Sequence, residues 1–111
     1  MLQTLTTPRG ETLSGTPWQV YPRPQMRRDS YINLNGEWDF AVSSGKPETF
    51  DMRITVPFCP ESRLSGIGRH FEEGAPLWYR RRFLLPEGFR RERVLLHIGA
   101  ADQIAEVFVN R

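Results

Sequence analysis

Residues 33–42 read N-L-N-G-E-W-D-F-A-V, and this stretch decides the fold. Its second half alternates, with Trp38, Phe40 and Val42 on one face and Glu37, Asp39 and Ala41 on the other. A period of two residues predicts a half-buried β-strand. The aromatic face must be covered by other parts of the chain, and we expect a second β-sheet to cover it.

The first half of this stretch contains the dipeptide Asn35-Gly36. Asn and Gly tolerate the positive φ angles that a two-residue type I′ turn requires, so the pair predicts a β-hairpin. We expect Tyr31 and Ile32 to belong to the first strand of that hairpin and residues 37–42 to form the second.

Further along the chain, four segments alternate in the same way, namely residues 52–56, 77–85, 93–98 and 104–109. In the second of these, Tyr79, Phe83 and Leu85 fall on one face and Trp78 falls on the other. A Pro-Glu-Gly turn at residues 86–88 separates the second segment from the third. No segment has the three-and-four spacing of an amphipathic helix, so we predict an all-β chain of five or six strands.

Two regions lack this alternation. Residues 1–15 are rich in Thr, Gly and Ser, and we predict that they form a flexible leader. We predict that residues 16–111 form a single domain. Trp18 and Tyr21 allow two interpretations, a platform that stacks against a sugar or an anchor for the arm, and packing favours the anchor. The second region, residues 57–76, is a long loop rich in Pro and Gly, and loops of that length are commonly functional or disordered.

Composition excludes several classes of protein. The sequence pI is about 9.1, but the net charge is only +2, and the arginine clusters alternate with acidic residues. We therefore expect no nucleic-acid partner. No apolar run approaches the roughly 20 residues of a membrane-spanning helix, so we expect no membrane partner. The N-terminus lacks the pattern of a secretory signal, and we expect a cytoplasmic location.

The reactive side chains form no recognisable catalytic or metal-binding motif. Cys59 is the single cysteine, which excludes an internal disulfide and a cysteine-rich zinc site. His70 and His97 have no ligand or nucleophile motif around them. Glu61, Glu72 and Glu73 lie in the long loop, but nothing in the sequence holds two carboxylates rigidly across a cleft. We expect no catalytic residues, no metal and no cofactor.

Several motifs occur together in a fixed order. They read RPQ at 23–25 with RDS at 28–30, LNGEWDF at 34–40, VPFCPES at 56–62, LWYRR at 77–81 and VFVN at 107–110. In this order and spacing, the chain from residue 21 to residue 111 resembles the N-terminal sugar-binding domain of glycoside hydrolase family 2, which contains the β-galactosidases and β-glucuronidases.

The resemblance implies a jelly-roll-like (galactose-binding-like) β-sandwich that packs on a catalytic barrel, and the two catalytic glutamates of such enzymes lie on that barrel. It implies a β-glycoside as ligand and the other domains of the glycosidase as partners. The loop at 57–76 is then one wall of the sugar site. Arg69, His70 and Trp78 are the residues that we expect near the substrate.

The predicted strands are fewer than the eight of a jelly roll, so we expect an incomplete sandwich, either a fragment or a piece that depends on a partner. The open sheet edge near residues 104–109 predicts self-association. The alternative is a free-standing carbohydrate-binding or protein-interaction module without hydrolase activity.

Overall fold

A computed structural model describes residues 7–16, 19–20, 23 and 25–110. The elements in chain order are helix α1 (Pro8–Thr12), strand β1 (Gly36–Val42), strand β2 (Met52–Val56), a 3₁₀ helix (Arg63–Ser65) and strand β3 (Leu77–Arg80). The strands form an antiparallel sheet in the order β2-β1-β3. This sheet and the small helical content agree with the all-β prediction.

The sheet has the predicted division into two faces. Phe40 of β1 is opposite Met52 of β2 and Tyr79 of β3, and Trp38 is opposite Ile54. Directly opposite residues of an antiparallel pair project from the same face. One face, which we call the apolar face, therefore carries residues 38, 40, 52, 54, 77 and 79, as the alternation in β1 and β2 predicts.

The centre of the apolar face is the best-buried part of the described chain. Phe40 is 0% exposed and Ile54 is 1% exposed. The Phe40 ring lies 5.2 Å from the Tyr79 ring and 5.7 Å from the Phe71 ring, measured between centroids. Phe71 belongs to the loop at residues 57–76, so in the described part of the chain this loop covers the aromatic face where we expected a second sheet.

The opposite face of the sheet is charged. Arg53 of β2 pairs with Glu37 of β1, and Arg80 of β3 donates two hydrogen bonds to Asp39 Oδ2 at 3.0 and 3.1 Å. The Arg80 guanidinium also lies 4.2 Å from the centroid of the Phe50 ring. Cross-strand pairs of opposite charge support the strand register, although exposed pairs contribute little individually.

The predicted hairpin at Asn35-Gly36 is wrong. Gly36 begins β1 with φ 131°, and residues 31–35 form no strand. The Asn35 backbone N–H instead donates to Asn33 Oδ1 at 2.9 Å, so a local side-chain turn replaces the type I′ turn. Strand β1 already has β2 and β3 on its two edges, which leaves no edge to which residues 31–32 could pair.

Arg81 fixes the chain just before β1. Its Nη1 donates to the carbonyl oxygens of Leu34 at 2.7 Å and Asn35 at 3.1 Å. The indole N–H of Trp38 also donates to Leu34 O, at 2.7 Å. A Cβ on Gly36 would lie 3.1 Å from Arg81 Nη1, so both this close approach and the positive φ favour glycine.

The later strands are shorter or absent in the described chain. Of the predicted strand at 77–85, only Leu77–Arg80 pairs, and residues 93–98 and 104–109 form no strand at all. The turn after residue 85 is present, with Phe89 N donating to Pro86 O at 3.0 Å. Leu84 is 93% exposed and Ile104 is 92% exposed. These segments have strand-like sequences, but no neighbouring strand satisfies their backbone groups.

The N-terminal leader contains one element that the sequence did not predict. Helix α1 begins after Thr7, whose Oγ1 accepts a hydrogen bond from Gly10 N at 3.0 Å, and Pro8 occupies the first turn. Ser, Thr, Asp and Asn are favoured at this capping position, and proline is favoured directly after it. The two interpretations of Trp18 and Tyr21 lie outside the described residues.

We expect Phe40→Ala to lower the free energy of unfolding by about 3–5 kcal/mol, because it leaves a cavity at the buried centre of the sheet. The measurement is urea unfolding followed by circular dichroism. The matched control is Phe83→Ala, which removes a ring that is half exposed and should change the free energy by about 0.5 kcal/mol or less. Equal losses in the two variants would contradict this description of the core.

We expect Arg81→Ala to cost about 1–3 kcal/mol of unfolding free energy, because it removes the charged donor of two backbone carbonyls in a half-buried position. Its neighbour Arg82 is exposed, and Arg82→Ala removes the same charge without that contact. The two variants are compared by urea unfolding. If Arg82→Ala is as destabilising as Arg81→Ala, the effect comes from net charge and not from this hydrogen bond.

Candidate functional site

The loop at residues 57–76 brings a group of polar and aromatic side chains to β3. We call this group the loop cluster, and it consists of Glu61, Arg69, His70, Phe71 and Tyr79. His70 Nδ1 lies 3.9 Å from Glu61 Oε1, and the Arg69 guanidinium lies 4.9 Å from the centroid of the Phe71 ring. Phe71 and Tyr79 both contact Phe40, so the cluster rests on the buried core.

The loop holds this position through its own hydrogen bonds. Ser65 is buried, and its hydroxyl donates to Ser62 O at 2.7 Å and accepts from Ile67 N at 3.0 Å. The backbone N–H of Arg69 donates to Pro60 O at 3.2 Å, and this hydrogen bond joins the two ends of the segment from residue 60 to residue 69. A loop that is held by its own hydrogen bonds suits a surface that presents functional side chains.

The hydroxyl of Tyr79 is in an unusual electrostatic environment. Burial raises the pKa of Tyr79, and the electrostatic effects of the nearby Glu61 and Cys59 raise it further. Tyr79 therefore remains a neutral hydrogen-bond donor and acceptor over the whole physiological range. A neutral phenol beside a carboxylate can donate to one group while it accepts from another.

Arg69 lines a cleft that we call the Arg69 cleft. It is lined by Met52, Arg53, Gly66, Ile67 and Arg69 and has a volume of about 220 Å³. Arg69 Nη2 contacts Met52 Sδ at 3.7 Å. The second arginine of the cleft, Arg53, is paired with Glu37. The hydrogen bond between them raises the pKa of Arg53, so its guanidinium stays charged.

The three residues that we expected near a substrate do not meet at one place. Arg69 and His70 belong to the loop cluster over the apolar face. Trp78 is opposite Ala41 of β1, so it projects from the charged face, and its indole N–H donates to Ser43 O at 2.9 Å. Trp78 is half buried there, on the opposite side of the sheet from Arg69 and His70.

Sequence reasoning did not assign Phe71 or Tyr79 to a site. The alternation of residues 77–85 in the sequence did predict that Tyr79 and Trp78 lie on different faces of the sheet. Nothing local marked Phe71, because its role depends on the loop folding back over Phe40. Glu61 entered the sequence interpretation only as a carboxylate without a rigid partner, and in the structure its described partner is His70.

Within residues 7–16, 19–20, 23 and 25–110, no group of three or more His, Cys, Asp or Glu side chains is arranged to hold a metal ion. In the same ranges no helix is both long enough and apolar enough to cross a membrane.

Comparison with known proteins adds no assignment. No protein-family model matches the sequence, and a search of curated proteins found no similar sequence. The functional interpretation of the loop cluster therefore depends on its chemistry and on the sequence motifs.

We expect Tyr79 to titrate at higher pH than an ordinary tyrosine, because burial and the nearby Glu61 carboxylate disfavour the phenolate. Phenolate absorbance between pH 8 and 13 measures this. Tyr79→Phe should remove the latest-titrating component, Tyr31→Phe should leave it in place, and Glu61→Gln should move it to lower pH. Since the folded pKa is the raised one, the contribution of Tyr79 to stability is complete below about pH 10 and is lost above it. A titration curve that Tyr79→Phe leaves unchanged above pH 10 would contradict the assignment.

Proposed function

We propose that this chain is a non-catalytic sugar-binding domain of a β-glycosidase that resembles glycoside hydrolase family 2. The loop cluster is the observation that carries the proposal. It combines two aromatic rings with the polar groups of Glu61, Arg69 and His70 on one exposed surface. Sugars have apolar C–H faces and many hydroxyl groups, and such a surface offers partners for both.

The chemistry of each side chain supports a part in binding. The exposed side of Tyr79 offers a ring face and a neutral hydroxyl, and Glu61 accepts hydrogen bonds from sugar hydroxyls. His70 is exposed and 3.9 Å from Glu61, so one hydroxyl could bridge the two. Because Phe71 and Tyr79 contact the buried Phe40, the rings are held rigidly before a ligand arrives, which lowers the entropy cost of binding.

The proposal includes a larger β-sandwich in which residues 93–98 and 104–109 become strands, as in the jelly roll that the motifs imply. Those residues alternate in sequence, expose apolar side chains and form no strand in the described chain. The other domains of the glycosidase are the proposed partners that cover them. In this proposal the enzyme is a retaining β-glycosidase, catalysis belongs to its barrel, and its location is cytoplasmic.

A second candidate is a free-standing carbohydrate-binding or protein-interaction module. The exposed apolar side chains at residues 83–109 favour it, because large exposed apolar patches commonly mark interaction surfaces. The two candidates share the loop cluster but differ in what covers this segment. Self-association through an open sheet edge is proposed for either candidate. We expected that edge near residues 104–109, but these form no strand, and the outer strands of the described sheet are β2 and β3.

We expect the chain to bind methyl β-galactoside or methyl β-glucuronide in a calorimetric titration, and His70→Ala and Glu61→Gln to weaken that binding by about tenfold each. Loss of one hydrogen bond to a bound ligand costs about 0.5–1.5 kcal/mol, and loss of a charged partner costs more. The His70 side chain is 87% exposed and the Glu61 side chain 48% exposed, so neither substitution should disturb the core.

The matched controls are His97→Ala and Glu106→Gln, which make the same chemical changes at exposed positions outside the loop cluster. Binding should be unchanged in both. If neither glycoside binds the parent chain, or if the control variants weaken binding as much as the cluster variants, the sugar-binding proposal is wrong.

A further inference from the structure

The guanidinium of Arg69 is held in place without a carboxylate. Arg27, Arg53 and Arg80 each pair with a carboxylate in the described residues, whereas Arg69 does not. The Arg69 guanidinium contacts the Phe71 ring and Met52 Sδ. An arginine side chain normally loses considerable rotamer freedom when it is fixed, and here soft, apolar contacts do the fixing.

These contacts leave hydrogen-bonding capacity unused. A guanidinium has five N–H donors in a planar fork. In the described residues the Met52 sulfur accepts from one nitrogen, Nη2, and the aromatic contact with Phe71 requires none of the donors. The fork therefore retains donors for a ligand with two oxygens side by side, which is the geometry of a carboxylate or a sulfate.

The cleft beside Arg69 limits the size and character of that ligand. Its volume of about 220 Å³ is smaller than the roughly 300–1,000 Å³ of sites for drug-sized molecules, so it suits a single ring. Met52 and Ile67 provide apolar walls. Arg53 at the same cleft is paired with Glu37, which leaves the positive charge of Arg69 as the unneutralised charge of the lining.

We propose that the Arg69 cleft binds an organic oxyanion, a carboxylate or sulfate group carried on a small apolar-faced ring. The oxyanion accepts hydrogen bonds from the Arg69 fork, and the ring lies between Met52 and Ile67. This site goes beyond the proposed function, because it requires an anionic group and not a sugar.

The test is a calorimetric titration of the full chain at low salt with three probes of the same ring size: benzoate, phenyl sulfate and benzyl alcohol. We expect at least one of the two anions to bind at least tenfold more tightly than the neutral alcohol. The anion that binds more tightly identifies the group as a carboxylate or a sulfate. This comparison uses the parent chain, so it does not depend on any variant folding.

Arg69→Gln should weaken binding of that anion by about tenfold or more, since it removes a charged donor. Arg82→Gln is the matched control, because it removes the same charge from an exposed residue outside the cleft, and binding should be retained. Equal binding of benzyl alcohol, no binding of either anion, or equal losses in the two variants would each overturn the proposal. A neutral methyl β-galactoside in a separate titration tests the sugar proposal alone, so the two failures are distinguishable.

Discussion

The burial of Phe40 is the constraint on which the rest of the described structure depends. Its ring is completely enclosed, with Met52 and Tyr79 as cross-strand neighbours and Phe71 above it. One side chain thus connects all three strands to the loop at 57–76. Because interiors tolerate few voids, the loop can contact Phe40 in only a few ways, and the positions of the side chains near Phe71 follow from that contact. The candidate site is therefore a consequence of the core.

The two-residue period of the strands gives the sheet two chemically different faces. The apolar face is covered by the loop and carries the loop cluster, whose Phe71 and Tyr79 contact Phe40. The charged face holds the pairs of Glu37 with Arg53 and of Asp39 with Arg80. Consecutive residues of β3 belong to different faces, so Tyr79 takes part in the cluster while Trp78 packs beside Ala41. Any ligand on the loop cluster is separated from Trp78 by the thickness of the sheet.

Local patterns predicted the parts of this fold that are determined locally. The alternation in β1 and β2 gave the strands and their faces correctly, because burying one face requires it. The Asn35-Gly36 signal failed because Arg81, distant in sequence, binds the carbonyls of residues 34 and 35 and both edges of β1 are occupied. The contact of Phe71 with Phe40 could not be predicted either, since it depends on how a long loop returns to the sheet. Arg69 and His70 were selected from the loop itself, whereas their neighbours required the tertiary structure.

The segments at 93–98 and 104–109 show what a strand-like sequence cannot achieve alone. Their alternation is as regular as that of β2, yet β2 pairs with β1 and these segments form no strand in the described chain. A single strand leaves its N–H and C=O groups to water and gains no cross-strand packing. It also exposes its apolar side chains, as Val94, Leu96 and Val107 do here. Pairing with further strands would bury those side chains and satisfy the backbone at the same time, and this is the physical argument for the larger β-sandwich in the proposed function.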